Sequence, residues 1–154
     1  MTQTRTDPQP VFSDDERAGR LSFRLAYGDC DVVGIAYFGI YLRWMERCYS
    51  TFLYANGIRS GEMQADLGIV TVGVSSGTEY LDTVVVYDEL ECRAVRNRIG
   101  SSSYQVGFEF TRNGQLVTTG QMTFACRNPM DFGKAEIPAR LRELIESLPE
   151  PTGR

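Results

Sequence analysis

The stretch Tyr37-Phe38-Gly39-Ile40-Tyr41-Leu42-Arg43-Trp44-Met45-Glu46-Arg47-Cys48-Tyr49-Ser50-Thr51-Phe52-Leu53-Tyr54-Ala55-Asn56 decides the fold. Its apolar residues Tyr37, Ile40, Tyr41, Trp44, Met45, Cys48, Phe52 and Leu53 recur at spacings of three and four, which predicts a long helix closed by Gly57. Leu42, Tyr49 and Tyr54 widen the apolar stripe, so the helix is expected to be buried on several sides. Its few polar residues, Arg43, Glu46, Arg47 and Ser50, need a partner or a role wherever they point inward.

Outward from this helix the period changes to two. Before it, Leu21, Phe23, Leu25 and Tyr27 alternate with Ser22, Arg24 and Ala26, the pattern of a half-buried strand. After it, Ile69 to Ser75, Thr78 to Val86, Glu89 to Ile99, Ser102 to Thr111 and Gln115 to Arg127 read as strands, with breaks at Gly77, Asp88, Gly100 and Asn113-Gly114. Pro129 to Gly133 reads as a loop, and Ile137 to Leu148 as a short amphipathic helix closed by Pro149. A strand, one long buried helix and an antiparallel meander imply an α+β domain with the sheet curled round the helix. Residues 1–18 are rich in Thr, Gln, Pro and charge and are expected to be a disordered tail. A single domain then spans 19–148, and 149–154 form a C-terminal tail.

Composition narrows the chemistry. None of the 154 residues is histidine, which removes Ser-His-Asp, Cys-His and His-ligated zinc mechanisms. Carboxylates, backbone amides and tyrosines remain. Cys30, Cys48, Cys92 and Cys126 are scattered without metal-ligand spacing, so reduced thiols, no metal and no cofactor are expected. With 16 basic against 20 acidic side chains, net −4, neither nucleic acid nor an anionic membrane is the expected main partner. The N-terminal stretch is polar and no segment reaches transmembrane length, so a cytoplasmic location is expected.

One segment joins two aspartates to the helix start: Tyr27-Gly28-Asp29-Cys30-Asp31-Val32-Val33-Gly34-Ile35-Ala36-Tyr37-Phe38. Continued through Tyr41, Arg43 and Trp44, it resembles the signature of the hotdog-fold acyl-CoA thioesterases of the 4-hydroxybenzoyl-CoA thioesterase type. Tyr87-Asp88-Glu89-Leu90 and the Ser101-Ser102-Ser103 strand opening fall where that family has similar residues, so the resemblance spans about Leu21 to Asn128. It implies a five- or six-stranded antiparallel sheet wrapped round the central helix, dimers formed by sheet extension and a tetramer of two such dimers. It also implies a site built between protomers and hydrolysis of an acyl thioester of CoA or of an acyl carrier protein.

By the same resemblance Asp31 is the catalytic carboxylate, nucleophile or general base, and the amides at about Tyr37 and Phe38 polarise the thioester carbonyl. The physics agrees, because helix-start amides lack intrahelical partners and sit at the positive end of the dipole. A thiolate is a good leaving group and needs no general acid, so histidine is dispensable. Many relatives read Tyr-His-x-Asn-Tyr at the helix start, whereas this chain has Tyr37-Phe38-Gly39-Ile40-Tyr41, which favours the branch acting on aromatic thioesters. Leu42-Arg43-Trp44 and Thr123-Phe124-Ala125-Cys126 resemble a related group that releases polyketide chains in enediyne biosynthesis. That group has a neutral residue where Asp31 stands.

Every candidate also has a structural reading. Asp29 and Asp31 could form the turn or cap the next helix. Glu46, a helix carboxylate of the kind some hotdog relatives use, is expected to pair with Arg43 or Arg47. Arg96 and Arg98, two apart in a strand and so expected on one face, match a family cluster that holds CoA phosphates; an ordinary solvated strand end is the alternative. Ser102 and Ser103 could donate to a phosphate or to pantetheine, or simply shape the strand start. Tyr37 and Trp44 belong to the core stripe and are candidates to line an acyl pocket. A non-catalytic acyl-thioester-binding module on the same scaffold is the alternative function, since a fold alone does not fix chemistry. The intact Asp31 favours catalysis.

Overall fold

The computed structural model describes residues 10–152. The element order is α1 (Asp14–Arg17), β1 (Arg20–Arg24), a 3-10 turn (Tyr27–Asp29), α2 (Ile40–Ala55), a second 3-10 turn (Ser60–Glu62), α3 (Met63–Leu67), β2 (Val70–Tyr80), β3 (Glu89–Ile99), β4 (Ser103–Arg112), β5 (Gln115–Arg127) and α4 (Ala139–Glu146). The strands form one five-stranded sheet in the order β1-β3-β4-β5-β2, and every neighbouring pair is antiparallel. The β4–β5 hairpin turns at Asn113 and Gly114, both with positive φ, as a two-residue loop between right-twisted strands requires.

α2 packs against the sheet. Its buried residues are Tyr41, Trp44, Met45, Cys48, Tyr49, Phe52 and Leu53, facing Tyr104, Val106, Phe108 and Phe110 of β4. The stripe is narrower than the sequence suggests, since Leu42 and Tyr54 are exposed. Phe12 meets Tyr54 edge-on with ring centroids 5.1 Å apart. Gly120 sets how closely helix and sheet approach: a Cβ there would run into Met45 Sδ and stand 3.1 Å from the Gly77 carbonyl.

Three expectations change. Gly77 does not break a strand: β2 runs from Val70 to Tyr80 through it, with a register shift between Gly73 and Ser75, and residues 81–88 form a loop. Gly77 lies against Gln121 of β5, whose side chain occupies the space where a Cβ would be, so here the glycine serves close approach. The stretch read as an N-terminal tail contains α1, whose Ser13 and Glu16 form a reciprocal capping box; residues 1–9 lie outside the described residues. The C-terminal stretch is docked as far as Thr152, which donates through its N–H and hydroxyl to Glu109 at 2.9 and 2.8 Å. Among the described residues no helix is long and apolar enough to cross a membrane, and no group of His, Cys, Asp and Glu could hold a metal ion. No disulfide links the four cysteines.

Candidate active site

The site grows from a tight turn. Gly34, with φ of 77°, lets the chain reverse between Asp31 and Ile35. The Asp31 N–H donates to the Ile35 carbonyl at 2.8 Å, and the Gly34 N–H to the Asp31 carbonyl at 3.0 Å. Asp31 Oδ1 accepts from the Val33 and Ile35 amides at 3.0 and 3.3 Å, while Oδ2 has no hydrogen bond among the described residues. The turn-forming and the catalytic readings of Asp31 are therefore compatible: one oxygen fixes the turn and the other is free to react. Asp29 is structural, its Oδ2 accepting from the Ala26 amide at 2.8 Å.

The approach to α2 sorts the candidate oxyanion donors. The Tyr37 amide is spent on the Asp29 carbonyl at 2.9 Å, which removes Tyr37 as a donor, while the Tyr37 carbonyl accepts from the Ile40 amide at 2.9 Å. The Phe38 amide, and beside it that of Gly39, have no partner among the described residues. Two successive unpaired N–H groups just ahead of a 16-residue helix suit a developing negative charge. Tyr80 holds this segment from β2, its hydroxyl donating to the Phe38 carbonyl at 2.7 Å.

Asp31 and Phe38 line one cavity of about 450 Å³, together with Ile35, Ala36, Tyr41, Tyr80 and the Leu81–Val84 loop. Its second carboxylate, Asp82, is neutralised by Arg112 at 2.9 Å. Arg112 also donates to the Thr83 carbonyl and to Asp88 Oδ2, both at 2.8 Å. That one guanidinium ties down the loop, and the loop bonds to the motif turn through Ala36 N–H to Val84 O at 2.8 Å and Val86 N–H to Gly34 O at 3.0 Å. Tyr41 is only 2% exposed, with its ring against Tyr80, Trp44 and Phe110. Burial pushes its hydroxyl pKa up. Thr118, fully buried, is the residue of β5 that pairs with Tyr80 on one side and Phe110 on the other. Its Oγ1 has no hydrogen-bond partner among the described residues, an arrangement that costs about 1–3 kcal/mol.

Other candidates lie elsewhere. Trp44, 6% exposed, faces a separate hollow of about 420 Å³ between β1 and α2, with Phe23, Arg43 and Arg47, and does not line the Asp31 cavity. Tyr37 is outside the lining as well. Glu46 accepts from the Ser50 hydroxyl, with no ion pair to Arg43 or Arg47. Arg96 and Arg98 do not share a face: a register shift puts Arg96 opposite Val106 and Arg98 opposite Gln105, neighbours that point to opposite sides. Arg96 is committed to the Glu146 carbonyl at 3.1 Å and to Glu150. Through the ladder these two stand level with Ser76 and Ser75, and Ser103 with Val72. At ~3.3 Å per residue that is roughly 13 to 26 Å along the sheet from Tyr80, so Arg96, Arg98 and Ser102 are not brought to Asp31 within one protomer. Tyr80, Arg112 and Thr118 were not anticipated. Nothing in local sequence marks them, because their roles come from cross-strand pairing and loop contacts.

A family model described as the thioesterase superfamily matches residues 33–119, more than half of the chain. The chain belongs to the thioesterase superfamily. The match begins two residues after Asp31, so the place of that carboxylate rests on the geometry above. The chain is 24% identical over 123 residues to a 1,4-dihydroxy-2-naphthoyl-CoA hydrolase of Synechococcus elongatus, covering 79% of this chain and 90% of that protein. Among solved structures, a 1,4-dihydroxy-2-naphthoyl-CoA thioesterase from Synechocystis superposes with a TM-score of 0.75 at 16% identity, over 86% of this chain and 98% of that one. The dynemicin thioesterase gives 0.73 at 24% identity, over 86% and 98%. The sheet wrapped round α2 is the hotdog fold, and this thioesterase carries it in five strands.

Proposed function

We propose that this thioesterase hydrolyses the thioester of an unsaturated, aromatic or polyketide-derived acyl group carried on CoA or on an acyl carrier protein. The observation that carries the reading is one cavity lined by both Asp31, whose Oδ2 is free, and Phe38, whose amide is unpaired among the described residues. The thioester carbonyl oxygen sits on the Phe38 and Gly39 amides. Asp31 then either attacks the carbonyl carbon, expelling the thiolate and leaving a mixed anhydride that water hydrolyses, or takes a proton from the water that attacks. Either route collapses an oxyanion held by those amides and releases a carboxylic acid and a thiol. The rings of Phe38, Tyr41 and Tyr80 around the cavity favour a flat acyl group over a saturated chain. Relatives named for dihydroxynaphthoyl-CoA and gentisyl-coenzyme A, and the dynemicin enzyme described with a bound polyene, support that class.

The working unit is proposed to be a dimer paired along β2, two dimers making a tetramer. β2 ends the sheet order, and among the described residues no further strand lies along its outer edge, which invites a second copy. Antiparallel pairing about Ser75 and Ser76 would set Tyr80 beside the partner's Thr71. In that arrangement Arg98 and Ser102 of one protomer move closer to the other protomer's cavity, which is how they could reach a CoA phosphate. The test is free-thiol release from a panel of aryl-, polyenoyl- and alkyl-thioesters on CoA and on carrier protein. Turnover confined to unsaturated acyl groups fits the proposal; tight binding without thiol release would favour an acyl-thioester-binding module.

A further inference from the structure

The inner end of the Asp31 cavity contains chemistry that hydrolysis does not use. Tyr41 lines the cavity through an otherwise buried ring, and its hydroxyl neighbours Thr118. The two are close without forming a well-aligned bond, since Thr118 Oγ1 is left unpartnered among the described residues. Around this pair the surfaces are rings: Tyr80 and Phe110 stand 5.5 and 5.2 Å from Tyr41, centroid to centroid. Valine would fill the Thr118 position with the same shape and equal strand preference, and would leave no polar atom stranded. A hydroxyl there needs a partner, and Tyr41, whose hydroxyl neighbours it, lines the cavity.

We propose that Tyr41 is a specificity residue that donates a hydrogen bond to an oxygen substituent on the far end of the acyl group, a ring or chain hydroxyl or carbonyl. Thr118 positions it. With the Thr118 hydroxyl donating to Tyr41, the Tyr41 proton is directed into the cavity, and each bond in such a chain strengthens the next. Burial keeps the Tyr41 hydroxyl protonated, so it acts as a donor and the group it meets is an acceptor. The substrate class narrows from any flat unsaturated acyl group to an oxygenated one. A plain aryl or polyene hydrocarbon of the same shape leaves the hydroxyl pair unsatisfied and is discriminated against. The inference rests on the assignment of this cavity to the acyl group.

Matched thioester pairs test it: benzoyl-CoA against its 3-hydroxy and 4-hydroxy forms, and 2-naphthoyl-CoA against its 1,4-dihydroxy form. The readout is the ratio of kcat/KM within each pair, which a general loss of folding or catalytic power leaves unmoved. The native protein should favour the better oxygenated member by about tenfold or more. In Tyr41→Phe the ratio should fall towards one, and Thr118→Val should lower it part of the way. A ratio near one in the native protein, or one that survives Tyr41→Phe, overturns the proposal. Calorimetric binding of the free acids separates the two readings. If no thioester is cleaved yet the hydroxylated acid binds more tightly in a Tyr41-dependent way, the pocket assignment stands and hydrolysis falls. If neither thioester nor acid distinguishes the oxygenated member, the Tyr41 proposal falls whatever the turnover.

Discussion

The Tyr80 hydroxyl donates to the Phe38 carbonyl at 2.7 Å, and so holds from behind the peptide whose N–H belongs to Gly39. The preceding peptide is pinned by the bond from the Ile40 amide to the Tyr37 carbonyl at 2.9 Å. Both unpaired amides at the helix start are thereby fixed in direction by their own carbonyls. Fixed donors contribute to catalysis because they need no reorganisation as charge develops. Tyr80→Phe removes one of these tethers and little else, and should lower kcat about tenfold with a smaller change in KM. Steady-state kinetics on the best thioester checks this, and an unchanged kcat would leave Tyr80 as a pocket wall only.

Arg112 is the second remote support. It binds Asp82, the Thr83 carbonyl and Asp88 together, and the loop they belong to braces Gly34 and Ala36. Arg112→Gln should lower stability by about 1–3 kcal/mol and raise KM, because Asp82 and Asp88 are left near the cavity without their cation. Arg112→Lys keeps the charge but not the fork, and should fall between the two in both readouts. Thermal unfolding and KM measured together decide it; a loss of stability with KM unmoved would detach the loop from the site.

Acid should unfold the protein, and Asp88 and Glu109 are among the carboxylates that contribute. Burial works against ionisation of Asp88, but the Val85 amide and Arg112 outweigh it and hold its pKa below the ordinary value. Burial likewise opposes ionisation of Glu109, while Arg93 and Thr152 bring it net downward. A group with a depressed folded pKa contributes stability that is complete above its unfolded pKa and is lost as pH falls through the folded one. Stability should therefore be flat near neutrality and drop below the usual carboxylate range of about 4. Glu109→Gln should lower the midpoint at neutral pH and shallow that acid limb, in thermal melts from pH 7 to 3. An acid limb identical to the native one would take Glu109 out of the linkage.

Gly120→Ala probes the contact between α2 and the sheet. The added methyl meets Met45 Sδ and the Gly77 carbonyl, and should cost about 1–3 kcal/mol by overpacking. Chemical denaturation measures it. A neutral change would mean that Met45 swings aside without cost.

The parts of the fold that rest on repetition were legible in the sequence. α2 was readable from its three-and-four spacing, and β4 from the alternation of Tyr104, Val106, Phe108 and Phe110. Gly77 misled because its meaning depends on the Gln121 side chain across the ladder, which no local window contains. α3 is a five-residue helix too short to show a period. At the site, the motif located the Asp31 turn, yet which helix-start amide is free depends on the Asp29 carbonyl taking Tyr37's. Arg96 and Arg98 looked like one face until the ladder slipped between them. Thr118 carries no signal in sequence, because an isolated threonine in a strand is ordinary and only its lack of a partner is informative.

Asp31→Asn separates the proposed chemistry of Asp31 from its part in the turn. Asparagine keeps a side-chain oxygen for the Val33 and Ile35 amides, so the turn survives while the carboxylate is lost. Single-turnover thiol release from the best acyl-CoA, with a thermal melt to verify the fold, should fall by about two orders of magnitude or more at an unchanged midpoint. Release within a few-fold of the native rate from a normally folded Asp31→Asn protein would mean that the Asp31 carboxylate takes no part in hydrolysis.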